Sequence, residues 1–186
     1  MKGPRQAGFS LLELLVTLIV IVLVTSLVSL TVSSGGQDIK LQAQVRNLAE
    51  VANYALDEAQ MMGRDYGLLL QRDSVDGETV YRYEWRERRL GGWKIPESGK
   101  DVFAGQALPV GLEMRLELED SPSEEISLSG AEENAAPQVV LYSSGETTAG
   151  AIDINRVRDG ELLWRVEWDL LGRFTVLQRG EAPEDE

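Results

Sequence analysis

The chain has 186 residues, 31 acidic against 18 basic, for a formal net charge of −13. So acidic a surface repels phosphate backbones, which excludes nucleic acid as an expected partner. There is no cysteine and no histidine, hence no thiolate nucleophile, no Ser-His triad and none of the usual zinc, copper or haem ligand sets; no catalytic residue, metal site or cofactor is expected, and an exported chain would rest on its own core without disulfides.

The first eight residues, MKGPRQAG, carry Lys2 and Arg5 and no acid. Behind them, Leu14 to Gln37 holds no charged residue. Phe9 to Val32 would form about 36 Å of helix, against a hydrocarbon core of about 30 Å. The hydrophobic region of a secretory signal is only about 7–15 residues long, and a buried core helix of a soluble domain keeps some polar face. The block fits neither, so residues 9–36 are expected to form a transmembrane helix. With Lys2 and Arg5 on its N-terminal side, the N-terminus faces the cytoplasm and the acidic bulk lies outside.

Residues 37–63 change character. Leu41, Val45, Leu48, Ala52, Ala55, Ala59 and Met62 recur in steps of four and three, while Lys40, Arg46, Glu50, Asn53, Asp57 and Glu58 fill the other faces. That is the pattern of an amphipathic helix laid on a core. Gly35-Gly36 is the one weak point before it, so a single long helix is expected, lipid-embedded at one end and half-buried at the other.

After Gly63 the period falls to two. Tyr66–Gln71 is a short apolar run. Thr79–Arg86 sets Val80, Arg82 and Glu84 against Tyr81, Tyr83 and Trp85. Gly111–Glu119 sets Leu112, Met114, Leu116 and Leu118 against Glu113, Arg115, Glu117 and Glu119. Gln138–Tyr142 and Ala151–Asn155 are further strands. Glu161–Asp169, with Leu162, Trp164, Val166 and Trp168 on one face, forms a hairpin with Gly172–Gln178 through a turn at Leu170-Leu171-Gly172. Arg82, Arg86, Arg88 and Arg89 read as surface strand positions, and Trp93, Trp164 and Trp168 as core. Ser143-Ser144-Gly145-Glu146 reads as a turn. The acids Glu117, Glu119, Asp120, Glu124, Glu125, Glu132 and Glu133 lack the spacing of a calcium loop and read as a solvated stretch. The expected fold is α+β: one long N-terminal helix packed on a mainly antiparallel β region over 64–180, with 181–186 a frayed tail.

One constellation stands apart. In Gly8-Phe9-Ser10-Leu11-Leu12-Glu13 a glycine marks the junction of basic leader and apolar helix, which leaves the local backbone accessible to a peptidase. A carboxylate then lies one turn inside the apolar block, where an acid costs about 2.5–3.5 kcal/mol at mid-bilayer and less near the interface. Cleavage after Gly8 would make Phe9 an N-terminus whose positive amine lies at the depth of Glu13 and can neutralise it.

These residues resemble the class III signal of type IV prepilins and pseudopilins: a short basic leader, Gly, Phe, then Glu at the fifth mature position. The resemblance implies cleavage between Gly8 and Phe9 by a prepilin peptidase, removal of residues 1–8, N-methylation of Phe9, and pairing of Glu13 with the amine of an adjacent subunit. Asn47-Leu48-Ala49, Glu58-Ala59, Tyr66-Gly67-Leu68, Gly92-Trp93-Lys94, Leu108-Pro109-Val110-Gly111-Leu112, Ser143-Ser144-Gly145-Glu146 and Asp169-Leu170-Leu171-Gly172-Arg173 extend it over most of the chain, and are similar to the GspH/FimT family, the H-type minor pseudopilins of type II secretion. Thr147-Thr148-Ala149 departs from the family's Thr-Pro-Phe. The pilin-like fold follows from the resemblance, as does a structural, non-enzymatic role near the tip of a periplasmic pseudopilus that helps export folded proteins through the outer membrane. It further implies other minor pseudopilins, the major pseudopilin, the inner-membrane assembly platform, the prepilin peptidase and membrane lipid as partners. The location implied is the bacterial inner membrane, single-pass, with residues 37–180 in the periplasm. A minor pilin of a type IV pilus or DNA-uptake filament is the alternative reading.

Overall fold

The structure, a computed structural model, describes residues 11–97, 101–119 and 135–181, the side chains of 24–37 excepted. Gly8, Phe9 and most of the acidic 120–137 stretch lie outside those residues. Two compact units separate, Met1–Lys40 and Leu41–Glu186. In the first, the backbone is helical from Leu11, and helix α1 (Leu11–Met62) runs without a break through Gly35-Gly36 into the second.

In the second unit α1 buries the predicted stripe. Leu41, Val45, Leu48, Ala52, Ala55 and Ala59 are buried, joined by Ala49, Val51 and Leu56. Three alanines on the stripe let strands approach the helix backbone closely. The helix ends at Gly63, whose φ of +63° is the left-handed conformation that favours glycine. Arg64 N–H donates to the Ala59 carbonyl at 3.2 Å, closing the terminal turn. The stripe stops one step earlier than its period suggested: Met62 is 58% exposed, since the chain has already turned away from the core. Glu58 is buried rather than solvent-facing, and its Oε2 accepts a 3.0 Å hydrogen bond from Tyr54.

Among the described residues nine strands follow: β1 (Tyr66–Val75), β2 (Glu78–Arg89), β3 (Gly92–Lys94), β4 (Gln106–Ala107), β5 (Leu112–Leu118), β6 (Val139–Leu141), β7 (Gly150–Arg156), β8 (Leu162–Trp168) and β9 (Phe174–Gln178). All pairings are antiparallel. One sheet has the order β3-β2-β1-β6, with β4 also on β2; the other has the order β5-β7-β8-β9. The β1–β2 ribbon is longer than the sequence runs that suggested it. It is closed by Asp76-Gly77, with φ of 53° and 82°, the two left-handed residues of a type I′ turn whose twist matches the ribbon. The β8–β9 hairpin forms where expected, with Trp168 opposite Phe174.

The core lies between α1 and the inner faces of both sheets. Val45, Ala52 and Ala55 of the helix meet Leu68, Leu70, Tyr83 and Trp85 of one sheet and Met114, Leu116, Ile152, Ile154 and Val166 of the other. Phe103, on a 3-10 turn at Asp101–Phe103, reaches into it; its ring lies 5.7 Å from Tyr54, 5.4 Å from Tyr66 and 6.1 Å from Trp85 between centroids. Trp93, Trp164 and Trp168 are buried, as the sequence suggested, whereas Leu118 and Leu162 at the strand ends are only half-buried. Arg86 departs from its expected surface position. It is 2% exposed, with Nη2 donating to Glu84 Oε2 at 2.7 Å. The outer face of the first sheet is covered there: Leu69 and Gln71 are buried beside it, and the Pro137 ring rests on Gly67, its cross-strand neighbour.

Candidate functional site

The described part of the N-terminal motif begins at Leu11, where α1 opens. Glu13 lies in the first turn, where a carboxylate meets the positive end of the helix dipole. Thr17 Oγ1 donates to the Glu13 carbonyl oxygen one turn back, a local bond that satisfies a hydroxyl without water. From Leu11 to Leu23 the surface is almost wholly aliphatic. Leu11 is 82% exposed, and Leu14, Leu15, Val16, Leu18, Ile19, Val20, Ile21 and Val22 are also exposed, on every side of the helix. A helix with no polar face has no stable arrangement in water and requires lipid or protein around it. Among the described residues no helix is long and apolar enough to cross a membrane; the described stretch 11–23 is shorter than the roughly 20 residues a span needs, and the rest of the run falls on the side chains of 24–37.

The motif residues of the second unit turn out to be joints. Gln106 Nε2 donates to Asn47 Oδ1 at 3.0 Å, and Gln44 Nε2 to the Ala107 carbonyl at 3.0 Å, so β4 is tied to α1. Asp65 Oδ1 accepts from both Ser143 N–H and Ser143 Oγ, at 3.0 and 3.1 Å, tying the helix end to the 143–146 turn. Gly145 lies against Gln60, and Gly172, at φ +66°, lies against Leu56. Thr147 N–H donates to the Leu170 carbonyl at 3.0 Å. Asp169 Oδ1 accepts from the N–H groups of Leu171 and Arg173, which shapes the β8–β9 turn. Two turns distant in sequence are thus held around the last turns of α1. These residues position the sheets and carry no chemistry.

An open concavity of about 780 Å³ lies on the outer face of the second sheet, lined by Glu117, Ala151, Arg165, Glu167 and Thr175 among others. Arg165 is held there by Asp153 at 2.9 Å and Glu117 at 3.1 Å. No metal-binding group of acids occurs among the described residues, and the concavity pairs no nucleophile with a base.

One N-terminal helix, its second half in the core of two antiparallel sheets and its first turns bare and aliphatic, defines a pilin-like protein. Solved structures share this fold. The minor pseudopilin EpsH of the Vibrio cholerae type 2 secretion system superposes with a TM-score of 0.59, at 22% identity over 78% of this chain and 99% of that one. Escherichia coli GspH gives a TM-score of 0.52, at 14% identity over 79% and 94%. Residues 3–29 match the prokaryotic N-terminal methylation motif, and residues 44–172 match the family of the type II transport protein GspH. The chain belongs to the GspH family, the minor pseudopilins of type II secretion, and is a structural protein and not an enzyme. Among its relatives, the type II secretion system protein H of Aeromonas hydrophila is 27% identical over 99% of this chain and 100% of its own length. That of Pseudomonas aeruginosa is 29% identical over 78% and 80%.

Proposed function

We propose that this pseudopilin is made as a precursor, cut between Gly8 and Phe9 by a prepilin peptidase, N-methylated on Phe9, and assembled near the tip of the pseudopilus. The observation that carries the proposal is the match of residues 3–29 to the methylation motif, a span that includes Gly8, Phe9 and Glu13. Residues 9–36 then anchor the chain in the inner membrane, and residues 37–180 lie in the periplasm. The all-round aliphatic surface of Leu11–Leu23 supports this, because lipid or the helices of neighbouring subunits would cover it. The filament neighbours are the other minor pseudopilins and the major pseudopilin, delivered through the inner-membrane assembly platform, and the assembly helps folded proteins through the outer membrane. Intact mass of the membrane-extracted protein tests the reading. A mature chain beginning at methylated Phe9 is expected; a start at Met1, or one beyond Ser33, would overturn it.

A further inference from the structure

Arg64 follows the last turn of α1, and Arg88 and Arg89 end β2. Between Arg64 and Arg89 lies the Glu87 carboxylate, 3% exposed. Arg64 Nη1 donates to its Oε1 at 2.8 Å, and Arg89 Nε and Nη2 donate to its Oε2 at 3.0 and 2.7 Å. Arg89 Nη1 also reaches Glu97 at 2.6 Å. The Arg88 guanidinium lies over the Trp93 ring, 5.4 Å from its centroid. Beside them Leu90, at the head of the β2–β3 hairpin, is 104% exposed. Arg64, Arg88, Arg89 and Leu90 line an open concavity of about 460 Å³. Burial pushes the Glu87 carboxyl up, but the hydrogen bonds from Arg89 and Arg64 outweigh it and hold the group below its ordinary value, charged and fixed.

We propose that this patch docks an acidic polypeptide segment of a partner protein, an aliphatic side chain packing on Leu90 and flanking carboxylates meeting Arg64 and Arg88. Three features support this occupant. The arginines are already held, so closing on a carboxylate costs little side-chain entropy and retains the geometry of a charge-assisted bond. Cations outnumber anions here on a chain of net charge −13, so the local field selects for acid against the rest of the surface. A bare leucine occupies a hairpin head, where turn chemistry asks for a polar residue or glycine. An anionic lipid surface is the poorer fit, because Arg64 lies one helix length, about 33 Å, from Leu41, where the chain enters this unit.

The test uses the full-length chain in neutral detergent micelles and a fluorescein-labelled peptide of sequence EELEE, read by fluorescence anisotropy. Saturable binding is expected that weakens with added salt and is absent for KKLKK. Arg64→Glu with Arg88→Glu should weaken it about tenfold or more, and Leu90→Ser about threefold. Arg88→Ala leaves the Glu87 cluster intact, so its loss of binding at unchanged circular dichroism separates docking from folding. Equal binding of KKLKK, or affinities within about twofold of the parent for both Arg88→Ala and Leu90→Ser, would overturn the proposal. So would binding, lost in the same variants, to phosphatidylglycerol vesicles with none to EELEE. The measurement needs no filament, so its failure leaves the pseudopilin reading untouched.

Discussion

Glu13 shares the first described turn of α1 with Leu11, Leu12 and Leu14. A carboxylate at a helix N-terminus gains about 0.3–1 kcal/mol from the dipole, which does not offset the 2.5–3.5 kcal/mol it costs deep in lipid. On the proposed reading a methylated amine of a neighbouring subunit makes up the difference during assembly. Glu13→Gln keeps size and removes charge, so the variant is expected to insert and be processed normally yet enter the pseudopilus poorly and reduce secretion. Cell fractionation, processed mass and a secretion assay check this together; wild-type secretion with normal co-assembly would show the residue misread. Arg86 marks the limit of reading at this scale. Its alternation with Tyr83 and Trp85 correctly assigns it to the outer face of β2, but alternation says which face a side chain takes and not what covers that face. The seating of Pro137 on Gly67, two residues far apart along the chain, is a tertiary event that buries Arg86 beside Glu84.

At the level of elements, Gly67 shows why β1 tolerates no side chain at its second position. A Cβ built there would lie 2.3 Å from Pro137 Cγ and 3.0 Å from the Val139 carbonyl oxygen. Gly67→Ala therefore forces β6 and the segment before it off the sheet, an overpacking cost of about 1–3 kcal/mol, seen as a fall of several degrees in Tm. Pairing it with Pro137→Gly relieves the clash, so the double variant should lose less than the two single variants together; strict additivity would show that the contact is not the cause. The long elements were legible: the four-three stripe of α1, the alternation of β5 and β8, and the β8–β9 hairpin all fold as their periods suggest. Asp76-Gly77 was an available hairpin signal for the β1–β2 ribbon. By contrast β3 and β4 span three and two residues, too few for any period, and exist because β2 offers them an edge.

For the molecule as a whole, the core of the second unit is supplied by its own helix and sheets, so a polypeptide beginning at Gln37 is expected to be soluble and to unfold cooperatively. Its stability is expected to fall at alkaline pH as two buried phenols ionise. Burial, then the nearby Glu87 and Glu58 carboxylates, push Tyr66 up to about 12, and burial pushes Tyr83 up to about 12, from 10.0. A phenol whose folded value is raised contributes stability in full below pH 10.0, and loses it as the pH climbs through about 12. Denaturant melts between pH 9 and about 12, with phenolate absorbance followed alongside, should show stability falling across that window; full ionisation of all tyrosines near pH 10 without unfolding would contradict it. The sequence by itself determined the apolar run behind a basic leader, the acid one turn inside it, and the succession of helix then strands, because charge, hydropathy and period are properties of neighbours along a chain. Only the tertiary structure decided that Arg86 is buried, that Phe103 joins the core, and that Arg64, Glu87 and Arg89 meet, because these depend on segments distant in sequence arriving at one place, and no local pattern encodes what lies across a sheet.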